Sequence, residues 1–309
     1  NLPLIDVPSN ESFTLDRFVA MQEKLVKSQL TIIAAKNEEV EEAVDDLIEM
    51  IGLYPLKEGP AGIDKREERK LRAHYSRMFY RAVLNATKNA LKLVKKRIGS
   101  RTSGGFLFVD RPIFDVNVEL MIPHVSMSPP LEEVQAAINR SCRSILAIAK
   151  GLPVWATPAD KESGRTIFDS LAKDKEVIVM VLLLTGSMEG AKRTVIEYLR
   201  SFKQYDWLWQ GNKEQEYAAF MKSSPALSDF EGKLRLYVEV EREISHIPPV
   251  HNIGALSLET APLKYSLRSE AAAWKALFGQ HLHSLAAEEL EAKQSWFNTM
   301  QRNLKREIR

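Results

Sequence analysis

Two stretches of this chain carry glycines and cations at spacings close to those of a phosphate-binding loop. The first, Leu184-Thr185-Gly186-Ser187-Met188-Glu189-Gly190-Ala191-Lys192-Arg193-Thr194, follows an apolar run, as a phosphate loop follows its strand. That chemistry needs a glycine directly before the lysine, so that the backbone can wrap the anion, and then a hydroxyl for magnesium. Here Ala191 precedes Lys192 and Arg193 stands where the hydroxyl belongs. The stretch therefore reads as a glycine-marked irregularity between helical segments. The second, Gly99-Ser100-Arg101-Thr102-Ser103-Gly104-Gly105, has no lysine after its glycines and follows the basic run Lys95-Lys96-Arg97. It reads as a flexible loop, whose serines would bring negative charge beside basic side chains if phosphorylated.

Metal and nucleophile chemistry fare no better. The six histidines are scattered, and His281 and His283, two apart, point in different directions on a helix. A zinc site gathers three or four ligands, and no spacing here supplies them. The single cysteine, Cys142, lies in an apolar-periodic segment with no histidine near it in sequence and reads as a small apolar filler. Glu38-Glu39, Glu41-Glu42 and Asp45-Asp46 read as a solvated face, complementary at most to the basic stretch Lys65 to Lys70. The tryptophans are the residues singled out. Trp155 and the pair Trp207 and Trp209 fall at helix ends, where a large ring can lock a junction or anchor a partner. Trp274 lies on the apolar side of the last helix. These four are the candidate structural or partner anchors, and no catalytic, cofactor-binding or metal-binding residue is assigned.

The elements that must position them are mostly helices. Segment 13–54 shows Phe18, Met21, Leu25, Leu30, Ile33, Val40, Val44, Leu47 and Ile51 at helical spacing, with Ser12 or Thr14 to start it and Gly52 and Pro55 to stop it. Segment 65–98 repeats the pattern. Phe106-Leu107-Phe108-Val109 and the alternating run Phe114 to Leu120 predict a small hairpin around Asp110-Arg111-Pro112. Pro129 and Pro130, one of them at the first helical position, launch a helix over 131–151 that Gly151 and Pro153 close. Val177 to Leu184 is rich in β-branched residues, yet its continuity with Val195, Leu199, Phe202 and Tyr205 favours one long helix. Helices over 213–222 and 228–245 follow, then a turn at Ile247-Pro248-Pro249, then a helix from about Pro262 onward.

The expected fold is mainly α: elongated stacked helical bundles with one small β-hairpin. The expected parts are an N-terminal helical bundle (1–98), a loop and hairpin insert (99–128), a central bundle (129–260) and a long terminal helix (261–309). A net charge of +2 gives no long-range pull toward nucleic acid or anionic lipid. The basic stretch Lys92 to Arg101 has no aromatic platform interleaved, against single-stranded nucleic-acid binding. No run approaches the roughly twenty apolar residues of a membrane helix. One cysteine rules out an intrachain disulfide framework. The start at Asn1, without leader or initiator methionine, and the final helix running uncapped to the last residue read as cut edges of a longer chain.

The order of the motifs carries a resemblance. Phe106 to Val109 and Phe114 to Ile122 are followed by Pro130-Leu131-Glu132-Glu133-Val134-Gln135, then Ile145 to Gly151 leading to Trp155. Later come Lys175-Glu176-Val177, Leu183-Leu184-Thr185-Gly186 and Phe202 to Trp209. Last are Glu239 to Ile247, Gly254, Leu258, Pro262-Leu263-Lys264, Glu270-Ala271 and Trp274-Lys275. From about residue 65 onward this set resembles the tail-to-linker region of an axonemal dynein heavy chain, and Leu184-Thr185-Gly186 and Trp207-Leu208-Trp209 look more like outer-arm than inner-arm wording.

The resemblance implies a segment of an ATP-driven, minus-end-directed microtubule motor of cilia or flagella. The segment itself would be a strut between linker and tail, with no cofactor of its own; ATP and magnesium would belong to the parent. Implied partners are other dynein heavy chains, intermediate and light chains and docking components, with the microtubule reached only through a motor absent here, and neither nucleic acid nor membrane. The implied location is the axoneme, with the cytoplasm during assembly. The alternative is a stand-alone helical scaffold or adaptor, such as a spectrin-like or vesicle-trafficking rod; a small helical enzyme comes third, for want of a polar constellation.

Overall fold

The computed structural model describes residues 3–53, 64–99 and 111–307. Two long helices open the chain, α1 (Leu15–Leu53) and α2 (Lys65–Gly99). A hairpin follows, β1 (Phe114–Met121) and β2 (His124–Ser128), antiparallel and in register from Asn117 opposite Ser128 to Met121 opposite His124. Then come α3 (Leu131–Lys150), two single turns α4 (Pro158–Glu162) and α5 (Ile167–Leu171), α6 (Lys175–Thr185) and α7 (Glu189–Ser201). After a 3-10 turn at Phe202–Tyr205 stand α8 (Trp207–Gln210), α9 (Lys213–Lys222) and α10 (Leu227–His246). The strands β3 (Val250–Ile253) and β4 (Leu256–Glu259) lead into α11 (Ala261–Glu307). The four strands form one sheet in the order β2-β1-β4-β3. Gly254, with φ of 57°, takes the left-handed conformation that the two-residue turn between β3 and β4 requires.

The mainly α expectation holds, and several details differ from it. The alternating run 114–120 is a strand, but it pairs with 124–128; the partner expected at 106–109, like the loop after Gly99, lies outside the described residues. β3 and β4 enlarge the hairpin to a sheet, because Leu256, Ser257 and Leu258 are buried on strands too short for periodicity to reveal. The long helix expected across 177–205 is broken at Gly186, so α6 and α7 are separate. Trp207-Leu208-Trp209 does not end a long helix but forms the body of α8. At the start of α3, Pro130 is the N-cap, with ψ of 159°, and Leu131 is the first helical residue.

By packing the chain divides into two units. The first comprises residues 1–116, 129–195 and 252–257 and the second residues 117–128, 196–251 and 258–309. In the first, α1, α2 and α3 bury Phe18, Val26, Ile33 and Val44 with Val83, Leu91 and Val94 and with Val134, Ile138, Cys142 and Ile145. The stripe that α1 buries runs Phe18, Gln22, Val26, Gln29, Ile33, Asn37, Val44, so three amides sit where the helical period alone would place apolar residues. The segment before α1 joins this core. Phe13 N–H donates to Ile113 O at 2.7 Å, Asp115 N–H donates to Phe13 O at 2.9 Å, and the Phe18 ring meets Phe114 edge-on at 5.0 Å. In the second unit α10 lies antiparallel to α11, Phe230 and Tyr237 facing Phe278 and Trp274.

Candidate functional site

Trp155, 2% exposed, follows the end of α3 in the first unit. Its indole N–H donates to Asn37 Oδ1 of α1 at 3.0 Å, while Asn37 Nδ2 donates to Pro153 O at 3.3 Å. One amide thus satisfies both the buried ring and the backbone two residues before it. Burying a polar group is costly unless it is so paired, and this pairing clamps the loop after α3 onto the middle of α1. Nearby, Leu30 of α1 packs against the α-carbon of Gly151, at 3.0 Å from where a β-carbon would sit. A side chain there would require the Leu30 side chain to shift by a few tenths of an ångström.

Three further polar residues tie this unit together, none singled out by sequence for that role. Gln22 holds the N-terminal strap, its Nε2 donating to Asp6 O at 2.6 Å. Arg97 donates to Pro8 O at 2.8 Å. Gln135 of α3 repairs the break at Gly186: its Nε2 donates to Leu184 O and its Oε1 accepts from Met188 N–H, both at 2.9 Å. The loop that resembles a phosphate loop is therefore a helix junction, two of whose backbone groups are held by a glutamine from α3. Only the polarity of these residues shows in sequence, and polarity alone does not separate a bridging amide from a solvated one.

The start of α6 carries an ion network. Asp174 caps the helix, accepting from Glu176 N–H at 3.0 Å and Val177 N–H at 3.1 Å. Lys88 of α2 reaches Asp174 at 3.0 Å and Glu176 at 2.9 Å, and Lys92 reaches Glu176 at 2.8 Å. The hydrogen bond from Lys88 holds the Asp174 carboxyl below its ordinary range, and those from Lys92 and Lys88 do the same for Glu176. The acidic face of α1 and the basic start of α2 meet through Arg72, which pairs with Asp45 and, at 3.2 Å, with Glu68. Burial pushes the Cys142 thiol up to about 11, as suits an inert filler. Burial likewise raises the Asp115 carboxyl, against hydrogen bonds from Ser12 and Ser257.

The other three candidate anchors belong to the second unit. Trp274, 1% exposed, donates its indole N–H to Leu208 O at 2.9 Å and so fastens α8 to α11. Trp209, 9% exposed, donates to Pro123 O at 3.2 Å and holds the β1–β2 turn. Trp207 is 37% exposed; its ring lies 6.1 Å from Tyr237 and 6.2 Å from Trp274, tilted against both. Burial, then the charge of Glu216, pushes the Tyr237 hydroxyl up to about 12. Lys213 reaches Glu270 at 2.5 Å and Lys275 reaches Glu241 at 2.7 Å, linking α9 and α10 to α11. Lys264 gives its ammonium to Ser245 O at 3.1 Å and Ile247 O at 2.7 Å, carbonyls that the end of α10 leaves without helical partners.

Among the described residues no three metal-binding side chains gather, and no helix is long and apolar enough to cross a membrane. Indole, amide and ammonium groups thus fasten helices and helix ends to neighbouring elements within each unit.

No protein-family profile matches the sequence. Individual proteins do. The chain is similar to the dynein gamma chain of the flagellar outer arm of Chlamydomonas reinhardtii, 42% identical over 288 residues, which take in 93% of this chain and 6% of that protein. It is similar to dynein axonemal heavy chain 5 of Mus musculus, 22% identical over an alignment covering 100% of this chain and 9% of the relative. Dynein axonemal heavy chain 8 of Homo sapiens is 23% identical across 99% of this chain and 9% of its own length. The chain spans less than a tenth of the length of each of these relatives. Three long proteins thus match nearly the whole of this chain, and by that shared sequence it belongs to the axonemal dynein heavy-chain family.

Proposed function

We propose that these residues form the part of an outer-arm dynein heavy chain where the tail leads into the linker. The segment does no chemistry. It passes force between linker and tail and supports assembly of the arm, while the parent chain binds ATP and magnesium elsewhere and moves toward microtubule minus ends. Its neighbours are other heavy chains, intermediate and light chains and docking components, met in the cytoplasm during assembly and kept in the axoneme. Trp155, Trp209 and Trp274 are internal locks; Trp207, the exposed one of the four, is the anchor a partner could reach.

The observation that carries this reading is the 42% identity to the outer-arm gamma chain across 93% of the residues. The buried indole clamps support it, since a strut must resist shear at its helix ends, and a ring fixed by both burial and a hydrogen bond does so. The first test is the mass of the native polypeptide, by gel separation and peptide mapping of isolated cilia. A band of several hundred kilodaltons that also yields peptides of an ATPase ring is expected. A species near the 35.1 kDa of this chain alone would overturn the reading. In that parent, weakening the clamps should slow microtubule gliding while leaving basal ATPase unchanged.

A further inference from the structure

The second unit carries a surface that none of its internal locks uses. A cleft of about 200 Å³ lies between the start of β2 and the α7 end that runs into the 3-10 turn. Val125, Ile196 and Leu199 make its apolar part; His124, Arg200 and Lys203 bring cationic or titratable groups, and Asp206 is the acid among the described lining. Both Arg200 and Lys203 are exposed, and among the described residues neither has an ion-pair partner. On the other side of His124 the hairpin turn presents Met121, 59% exposed, and Ile122, 69% exposed. This turn is held in place, because Trp209 donates to Pro123 O at 3.2 Å.

Each observation narrows the occupant. The volume is below the several hundred Å³ typical of small-molecule sites and suits one or two aliphatic side chains. Exposed apolar residues beside a stiff turn cost little ordering entropy when covered, which favours a docking contact. Two unpaired cations beside an apolar floor select a partner with carboxylates flanking an apolar residue, since like charge there would be repelled. A second exposed groove lacks this polarity. The groove along α10 alternates Glu231, Arg235, Glu239 and Arg242, and those charges already pair with one another.

We propose that the cleft and the adjoining turn dock an acidic amphipathic segment of another polypeptide. The segment inserts an apolar side chain against Val125, Ile196 and Leu199, sets carboxylates on Arg200 and Lys203, and covers Met121 and Ile122. The site stands on the second unit alone and does not depend on the chain's place in a motor.

The test uses a short rhodamine-labelled peptide with leucines one helical turn apart and glutamates on either side, titrated into the 309-residue chain and followed by fluorescence anisotropy. The expected result is saturable binding that weakens about tenfold or more in the R200E/K203E variant and falls with added salt. Ile122→Ser should weaken it several-fold, R200K/K203R should keep it, and the same peptide with lysines for glutamates should not bind. Circular dichroism establishes that each variant, altered only at exposed positions, keeps its helical content. Equal binding of the glutamate and lysine peptides, binding indifferent to charge reversal, or no binding to a folded wild-type chain would each overturn the proposal.

Discussion

Trp155→Phe isolates one hydrogen bond in the first unit while keeping an aromatic ring. The substitution removes the indole N–H that reaches Asn37 Oδ1 at 3.0 Å, leaving that oxygen buried on α1 without its donor. Orphaning a buried acceptor costs about 1–3 kcal/mol, and the void where the larger ring stood adds about 1 kcal/mol because a site 2% exposed can collapse only in part. The sum is about 2–4 kcal/mol, or roughly 30- to 1000-fold in the local opening equilibrium. Global unfolding is a poor readout for a chain of two packed units, whose transitions need not coincide. Amide hydrogen exchange is better suited, read by mass spectrometry on peptides that span Ile33 to Glu41, under conditions where exchange reports the opening equilibrium. Those amides should exchange faster by the stated factor, while amides of α10 and α11 should be unchanged. In a cycle with Asn37→Leu the two substitutions should be non-additive by about 1 kcal/mol. An acceleration below about threefold, or strict additivity, would refute the view that the Asn37–Trp155 pair clamps this joint.

The two neighbouring tryptophans of the second unit should separate sharply. Trp274→Ala should destabilise α10 and α11 by about 3–5 kcal/mol, whereas Trp207→Ala, at a ring 37% exposed, should cost clearly less; hydrogen exchange of α10 ranks the two. The ion network at α6 gives a pH dependence. Asp174 and Glu176 are held below their ordinary values of 3.8 and 4.5, so the network's contribution is complete above those values and drains as pH falls through the depressed ones. Protection of the α6 amides should fall in that acid range, and Asp174→Asn, which can keep the cap but not the ion pair, should flatten the fall. Cys142, with its thiol pushed up to about 11, should react with a disulfide reagent at pH 8 only as fast as the first unit opens; instant modification of the folded chain would contradict its burial.

Much of the helical framework was legible in the sequence because its cues are local. Gly151 closes α3, and the expected spans 213–222 and 228–245 match Lys213–Lys222 and Leu227–His246 within a residue. The errors came where a distant partner decides. Gly186 and Gly190 marked an irregularity after Leu184, yet the apolar periodicity running on toward Val195 favoured one helix, since what holds the break is Gln135, some fifty residues away on α3. The alternation of 114–120 identified a strand but not its mate, and His124 to Ser128 is too polar to advertise itself beside the apolar run 106–109. Four-residue strands such as β3 and β4 fall below the length at which any period can be counted.

The anchor residues divide along the same line. Trp155, Trp207, Trp209 and Trp274 could be picked out by size and position alone, but whether a ring locks or presents itself depends on what its N–H meets. Three of them find an acceptor on another element, Asn37 Oδ1, Pro123 O or Leu208 O, and those three are buried. For Trp207 no indole hydrogen bond is seen among the described residues, and it is the exposed one. Burial of an indole requires an acceptor within reach, and in each case the acceptor lies between 66 and 118 residues away in sequence. The same physics hides Asn37, Gln22 and Gln135, which look like ordinary surface amides until the element facing them is known. An amide that bridges a buried ring to a backbone carbonyl has no sequence signature of its own, because half of its chemistry is supplied by the partner.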